Sequence, residues 1–368
     1  MGLASFSDHN LFLVWSITFY GATVAILVGA FLVSEFYSRM RFLFFWTVVG
    51  VIASILPVFI TAETLNGVLS ISVLLNLPLV FGLPGCLAEF VDHTEVEKRT
   101  RLGGLILLMI MGISALTTAL ITENIQTSLS ILIIWRGLGL IAFLFKTPAL
   151  LKKEQKRTSF LSIVIDRSFL LYLIPWIMFS LVNFLSTPIV AEIQSEDFLY
   201  LSRIIGNVLA GIFAVVGGFL SDTIGRKKVA IVGFIMIGVG YAVLGIYPLN
   251  LFCWYFYTIM DGVAWGMLYV IFVTTIWGDL AYGKPSEKHY ALGSLPYLLS
   301  SFLRFTEIGA IIEKTVSPFA IFSFTSFFLF LAVLPLMFAP ETLPEKKIKE
   351  RELKKYIDKA KEVKEKYN

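Results

Sequence analysis

The sequence predicts an all-α integral membrane protein with about eleven transmembrane helices, and three observations carry that prediction. Of its 368 residues, 57% are hydrophobic and 15% charged, and the mean hydropathy is +0.82, far outside the range of soluble chains. The apolar residues come in runs of about twenty, the length of helix that crosses a hydrocarbon core of ~30 Å. The cations avoid these runs and gather in alternate loops, as they do where loops face the cytoplasm.

Taken in order, the spans are expected at 10–33, 43–62, 66–88, 102–122, 127–148, 168–190, 200–220, 229–247, 251–276, 293–313 and 318–339. The first run is too long for a signal peptide and lacks a basic leader and a small-residue cleavage site, so it reads as a retained span. With the loops alternating sides, every Lys and Arg falls at 34–42, 89–101, 146–167, 221–228, 278–290 or after 340, except Arg136, Arg203, Arg304 and Lys314. This bias predicts an N-terminus outside and a C-terminus inside. Residues 345–368 are strongly charged, with Leu353, Tyr356, Ala360, Val363 and Tyr367 at helical spacing; they read as a charged cytoplasmic helical tail.

Other classes fall away on composition. The net charge of +4 lies in short loops and the tail, where topology requires it, so no nucleic-acid partner is expected. Cys86 and Cys253 fall inside apolar runs, and His9, His93 and His289 are scattered in loops, so neither a disulfide framework nor a metal site is expected. The stretch 278–284, GDLAYGK, mimics a phosphate-binding loop, but Pro285 stands where Ser or Thr is required and no strand precedes it. No enzyme activity and no cofactor are expected.

The stretch from Gly217 to Lys228, GGFLSDTIGRKK, separates two of the apolar runs. Gly217 and Gly218 let helices approach closely, Asp222 can accept hydrogen bonds from the start of a neighbouring helix, and Gly225 lets the backbone reverse. Arg226, Lys227 and Lys228 hold the turn on the cytoplasmic side. A degenerate copy lies 187 residues earlier, where Ser34, Glu35, Arg39 and Arg41 stand under Ser221, Asp222, Arg226 and Lys228. At an offset of 190, Glu97, Lys98, Leu102 and Gly103 match Glu287, Lys288, Leu292 and Gly293. The chain is therefore expected to be built from two related halves.

The string Gly218, Leu220, Ser221, Asp222, Gly225, Arg226, Lys227, Lys228 resembles the signature loop of the major facilitator superfamily, which joins the second and third helices of each six-helix half. The resemblance implies a two-half bundle of five and six helices, with the first of the usual twelve missing or encoded upstream. It divides the chain into an N-terminal half at 1–148, a cytoplasmic linker at 149–167, a C-terminal half at 168–344 and the tail. Pro340, Glu341 and Thr342 resemble the ending of sugar porters in that superfamily. It also implies a cytoplasmic gate of charge pairs. The matching positions are Gly218, Asp222, Gly225, Arg226, Lys227, Asp279, Glu287 and Glu341 in the second half, and Glu35, Arg39, Glu89 and Glu97 in the first. Because Ser38 replaces the glycine and Met40 interrupts the cations, the first copy is expected to make the weaker gate.

A charge inside a span costs about 2.5–3.5 kcal/mol, so each needs a reason. Helical spacing puts Trp254, Tyr257, Asp261, Trp265 and Leu268 on one face, so Asp261 is read as a substrate or proton site, or as one side of a structural ion pair. Arg304 and Glu307 lie three apart, either as a neutralising pair or as the partner of Asp261 and a proton carrier. Trp176 and Asn183 in the sixth span and Asn76 in the third are candidate ligand contacts, with helix packing as the plain alternative. Arg136 reads as structural pairing or snorkelling before substrate contact.

The function expected is secondary transport of a small solute by alternating access. The solute site is expected among the third, sixth, ninth and tenth spans, with protons as the drive because acids are available and a nucleotide site is not. Uptake of a sugar or other metabolite and efflux of a drug-like solute both stay open. The alternative is a transport-inactive membrane scaffold or sensor. Expected partners are the solute, protons and the bilayer, for a monomer in the cell (plasma) membrane.

Overall fold

The computed structural model describes residues 8–35, 38–61, 63–120, 125–144, 158–303 and 317–343. Arg304, Glu307, residues 149–157 of the connection and the 345–368 tail lie outside the described residues. The helices are α1 Asp8–Glu35, α2 Arg39–Ile55, α3 Leu65–Asp92, α4 Arg99–Leu120, α5 Ile125–Leu144 and the short α6 Phe160–Val164. They continue with α7 Arg167–Ile193, α8 Glu196–Ile224, α9 Arg226–Ile246 and α10 Leu251–Tyr269, the last extended by a π-helical segment Val270–Thr275 and α11 Ile276–Leu280. The chain then forms α12 Glu287–Leu303, α13 Pro318–Leu331 and α14 Val333–Phe338.

Among the described residues, eight helical segments are long and apolar enough to cross a membrane, and the shorter apolar helices 127–141 and 167–182 accompany them. Only helices satisfy every backbone group without water, which is why apolar runs of this length resolve into helices. Large apolar side chains such as Phe45, Phe59 and Phe252 stand on the outer surface, as they do where lipid is the solvent. The chain is an integral membrane protein.

Successive long helices run in opposite directions, so α1, α3, α8, α10–α11 and α14 finish, and α2, α4, α9 and α12 start, at one end, called here the turn end. At the opposite, far end the helix starts are capped by local side chains. Thr64 accepts from the Gly67 amide at 3.1 Å, Ser195 from Phe198 at 3.3 Å and Asn250 from Phe252 at 2.9 Å. At the turn end, α4 and α9 take their caps from distant carboxylates instead.

Within the first half, α3 packs against α1 and α2, and α2 against α5; within the second, α10 packs against α8 and α9, and α13 against α7 and α9. The halves meet chiefly where α4 lies on α8 and where α1 lies on α12. Small residues allow the second half's helices and α4 to approach: a Cβ at Gly266 would stand 2.7 Å from the Ala214 nitrogen, and one at Gly104 2.9 Å from the Ala214 carbonyl carbon.

The largest buried core belongs to the second half and is aromatic. Trp176 stacks between Phe272, at 5.0 Å, and Phe179, at 5.4 Å, and Phe179 meets Trp265 edge-on at 4.5 Å. Among the described residues, the first half holds small clusters, around Ile26 and around Phe42. One intramembrane cation, Arg136, is spent inside this half. It donates to the Gly50 carbonyl at 2.9 Å, the Ser54 hydroxyl at 2.8 Å and the Leu75 carbonyl at 3.2 Å, stapling α5 to α2 and α3. Its position beside the 3₁₀ turn Leu56–Phe59, where Pro57 interrupts α2, gives the charge neutral oxygens to hold.

Candidate functional site

A cavity of about 520 Å³ lies between α4, α8, α10 and α12, and reaches toward the far end past Leu199. Its polar wall is Ser114, Ser202, Arg203, Asn207 and Thr258, and its aromatic wall is Tyr257, Trp265, Tyr269 and Tyr297 around Asp261. Both hydrogen bonds to the Asp261 carboxylate fall on Oδ1, from the Tyr257 hydroxyl at 3.2 Å and the Trp265 indole at 3.0 Å. The Tyr241 hydroxyl lies 3.0 Å behind that of Tyr257. A phenol has one hydrogen to donate, so Tyr257 giving its own to Asp261 leaves Tyr241 to donate to Tyr257. Asn207 joins the halves across the cavity floor by donating to the Ser114 hydroxyl at 3.3 Å.

The expected face of α10 divides. Tyr257, Asp261 and Trp265 line the cavity. Trp254 is buried and donates to the Pro248 carbonyl at 2.7 Å, and Leu268 is buried against Gly233. The structure places Trp176 in the aromatic core, where its indole donates to the Gly293 carbonyl at 2.8 Å, so the substrate contact expected of it gives way to packing. Asn76 is exposed on α3 and donates to its own helix at the Ser72 carbonyl. Arg136 belongs to the staple between α5, α2 and α3, which is the structural reading. Asn183 lies on α7, where side-chain surroundings fall outside the description. Among the described residues, then, the walls come from the fourth, seventh, ninth and tenth spans, not the third and sixth. A polar or aromatic stripe does not by itself say what it faces. Arg203 was legible only as one of the cations lying outside the positive loops.

At the turn end the cavity is shut by charged groups that tie one half to the other. Asp222, fully buried on α8, accepts from the Thr100 amide at 3.3 Å and the Arg101 amide at 2.9 Å, which caps α4. Gly218 makes that possible, since a Cβ there would stand 2.6 Å from the Thr100 carbonyl oxygen. Arg226, also fully buried, donates to the Thr100 hydroxyl at 3.1 Å and pairs with Asp279, which in turn pairs with Arg99. Glu341 caps α9, accepting from the Arg226 amide at 2.9 Å and the Lys227 amide at 3.2 Å. It reaches them past Gly225, whose φ of +106° suits glycine alone. Lys227 extends back to the Ala339 carbonyl at 3.0 Å.

The first copy of the turn works through side chains. Arg39 pairs with Glu287 at 2.6 Å, with Asp92, and with Glu89 at 3.5 Å, while Glu35 accepts from the Lys288 ammonium at 2.7 Å. The Glu97 carbonyl accepts from Arg101 at 3.4 Å. Asp92, Arg99 and Lys288 belong to the charged cluster at this end and are not among the gate positions expected from the sequence, although Lys288 is matched there to Lys98. Asp92 carried a signal, for it stands 187 residues before Asp279, the offset that relates the two turns.

The sequence matches no family model and no curated protein sequence. The fold is similar to that of a solved structure, the human organic anion transporter MFSD10 (TETRAN), with a TM-score of 0.70 at 12% sequence identity over 88% of this chain and 83% of that one. Helix order, the paired turns and this likeness together show that the chain has the major facilitator fold.

Proposed function

We propose that the protein carries a small organic solute across the membrane by alternating access, with the cavity around Asp261 as the solute site. The observation that carries this is the pairing of a cavity holding charged side chains with a charged inter-half seal at one end of it. A purely structural bundle has no use for either. On this reading the N-terminal half, 1–148, and the C-terminal half, 168–344, rock about the α4–α8 and α1–α12 contacts. The inter-half pairs Glu35–Lys288, Arg39–Glu287, Arg101–Asp222 and Arg99–Asp279, and the bond from Arg226 to Thr100, part when the turn end opens. The turns face the cytoplasm, which puts the N-terminus outside and the C-terminus inside, in the plasma membrane. Asp261 takes up a proton when the site is empty of solute, and that exchange couples transport to the proton gradient. The similar MFSD10 is an organic anion transporter, which agrees with a charged solute for this chain.

Access is testable with one engineered cysteine. Cys86 and Cys253 are the natural thiols; with both replaced by serine, Ser114→Cys puts a single thiol on the cavity wall. In sealed vesicles of one orientation, an impermeant maleimide is expected to label it from the far side. Adding Arg226→Ala is expected to open a second route, from the turn side. Labelling from the far side alone, whatever happens to the seal, would defeat alternating access.

A further inference from the structure

Resting on that reading, we infer that the solute is amphoteric. An anionic group pairs with Arg203, and an ammonium group sits against Asp261 within the aromatic wall. Two opposite charges share one cavity without neutralising each other. Among the described residues no carboxylate pairs with Arg203, whose side chain is exposed to the cavity. Asp261 spends only Oδ1 on Tyr257 and Trp265, which leaves Oδ2 for a ligand.

The two groups stand at different depths. Helices α8 and α10 run the same way, and the Thr258 hydroxyl lies 3.4 Å from that of Ser202, while Gly262 packs on Gly206 and Leu209. In that register Arg203 is about one helical turn, roughly 5 Å, nearer the far end than Asp261. A solute reaching both is therefore anionic at its outer end and cationic at its inner end. The inner end enters rings set edge to face, with Trp265 and Tyr269 at 4.5 Å and Tyr269 and Tyr297 at 6.3 Å. Such rings attract an ammonium and shelter an apolar body. Ser114, Ser202, Asn207 and Thr258 supply hydrogen bonds between the two poles.

Charge balance selects against simpler solutes. An anion alone leaves Asp261 either unpaired or still holding its proton as the cavity closes, so no solute group takes the proton's place, and a cation alone leaves Arg203 unpaired; an unpaired charge in a drying site is costly. A solute carrying both charges leaves neither.

The probe is L-phenylalanyl-L-phenylalanine, compared with its N-acetylated form, an anion, and its C-terminal amide, a cation. Binding is read on the purified full-length protein in detergent by the shift of the melting midpoint and by tryptophan fluorescence. The zwitterion is expected to bind at least about tenfold tighter than either capped form, a difference of about 1.4 kcal/mol. Asp261→Asn is expected to erase its advantage over the N-acetylated form, and Arg203→Gln its advantage over the amide. Arg203 is exposed, so Arg203→Gln keeps the test open if the Asp261 variant fails to fold. Equal binding of all three forms, tighter binding of either capped form, or binding of none overturns the amphoteric assignment. The maleimide labelling of Ser114→Cys reports alternating access without any solute, so the failure of one reading is distinguishable from failure of the other.

Discussion

The two turns carry the same order of acid and cations, yet they hold the halves together in different ways. Around Asp222 and Arg226, which are fully buried, the second copy reaches backbone in the other half as well as side chains: the amides of Thr100 and Arg101 and the Val96 carbonyl, beside the Thr100 hydroxyl and the Arg101 guanidinium. Around Glu35 and Arg39, which keep 13% and 15% of their side chains exposed, the first copy meets the other half through the side chains of Lys288 and Glu287. The cause lies one helical turn before the acid. Gly218 admits the start of α4 to contact distance; 187 residues earlier stands Phe31, a large side chain beside Lys288 at the start of α12. Lys288 fills the space, its ammonium 5.4 Å from the Phe31 ring and its charge on Glu35. A charge pattern thus specifies that a seal forms, and the size of one nearby residue specifies whether backbone takes part.

The largest expected contrast comes from deleting the arginines. Arg226→Ala leaves Asp279 and Asp222 buried with less countercharge and is expected to cost about 3–5 kcal/mol. Arg39→Ala also strands the buried Glu287, but its other partners, Glu89 and Asp92, are nearer water, and it should cost less, about 1.5–3 kcal/mol. Thermal unfolding in detergent ranks them, and an equal loss in both would dissolve the distinction between the copies.

Next comes the residue held responsible. Gly218→Ala pushes a methyl group into the Thr100 carbonyl and is expected to cost about 1–3 kcal/mol by overpacking, and to raise turn-side labelling of Ser114→Cys. Phe31→Ala should cost less and leave the Asp222 cap in place. If Phe31→Ala raised turn-side labelling more than Gly218→Ala did, the first copy would be the stronger seal.

A smaller contrast is expected at the turn glycine. Gly225→Ala forces a side chain into the φ of +106° beside Glu341 and should cost about 1–2 kcal/mol. At the matching Ser38 the φ is −64° and the side chain caps nothing, so Ser38→Gly should change stability by under about 1 kcal/mol. The serine therefore gives no reason for a weaker first copy, contrary to the reading of its sequence. A gain of stability on Ser38→Gly would restore that reading.

The smallest effect belongs to an exposed pair in the same region. Lys98 and Glu95 lie 2.7 Å apart but are 56% and 69% exposed, and Lys98→Ala should shift stability by less than about 0.5 kcal/mol. A larger shift would mean that exposed charge, and not burial, sets the strength of the seal.

How much of this was legible varies by residue. Asp222 was readable as a cap because a carboxylate between a glycine pair and a cationic turn has few other uses at a helix end. Asp261 was readable because an acid in an apolar run needs a reason. Asp92 was readable in principle from the repeat offset. Arg203 and Ser114 were not, since both look ordinary until α4 and α8 are laid together. Trp176 misled, because an aromatic stripe suits a solute wall and a packed core equally well.

The sequence by itself determined that the chain crosses the membrane, where its helices turn, and that its two halves repeat. These are local properties: a run of apolar residues satisfies its own backbone, and a charged turn stays out of the hydrocarbon wherever the bundle goes. Only the tertiary structure decided which helices wall the cavity, that Arg136 staples α5 to α2 and α3, and which copy of the turn grips backbone. Those outcomes depend on how closely two distant helices approach, and that distance is set by glycines and bulky side chains facing one another across gaps that no sequence spacing records.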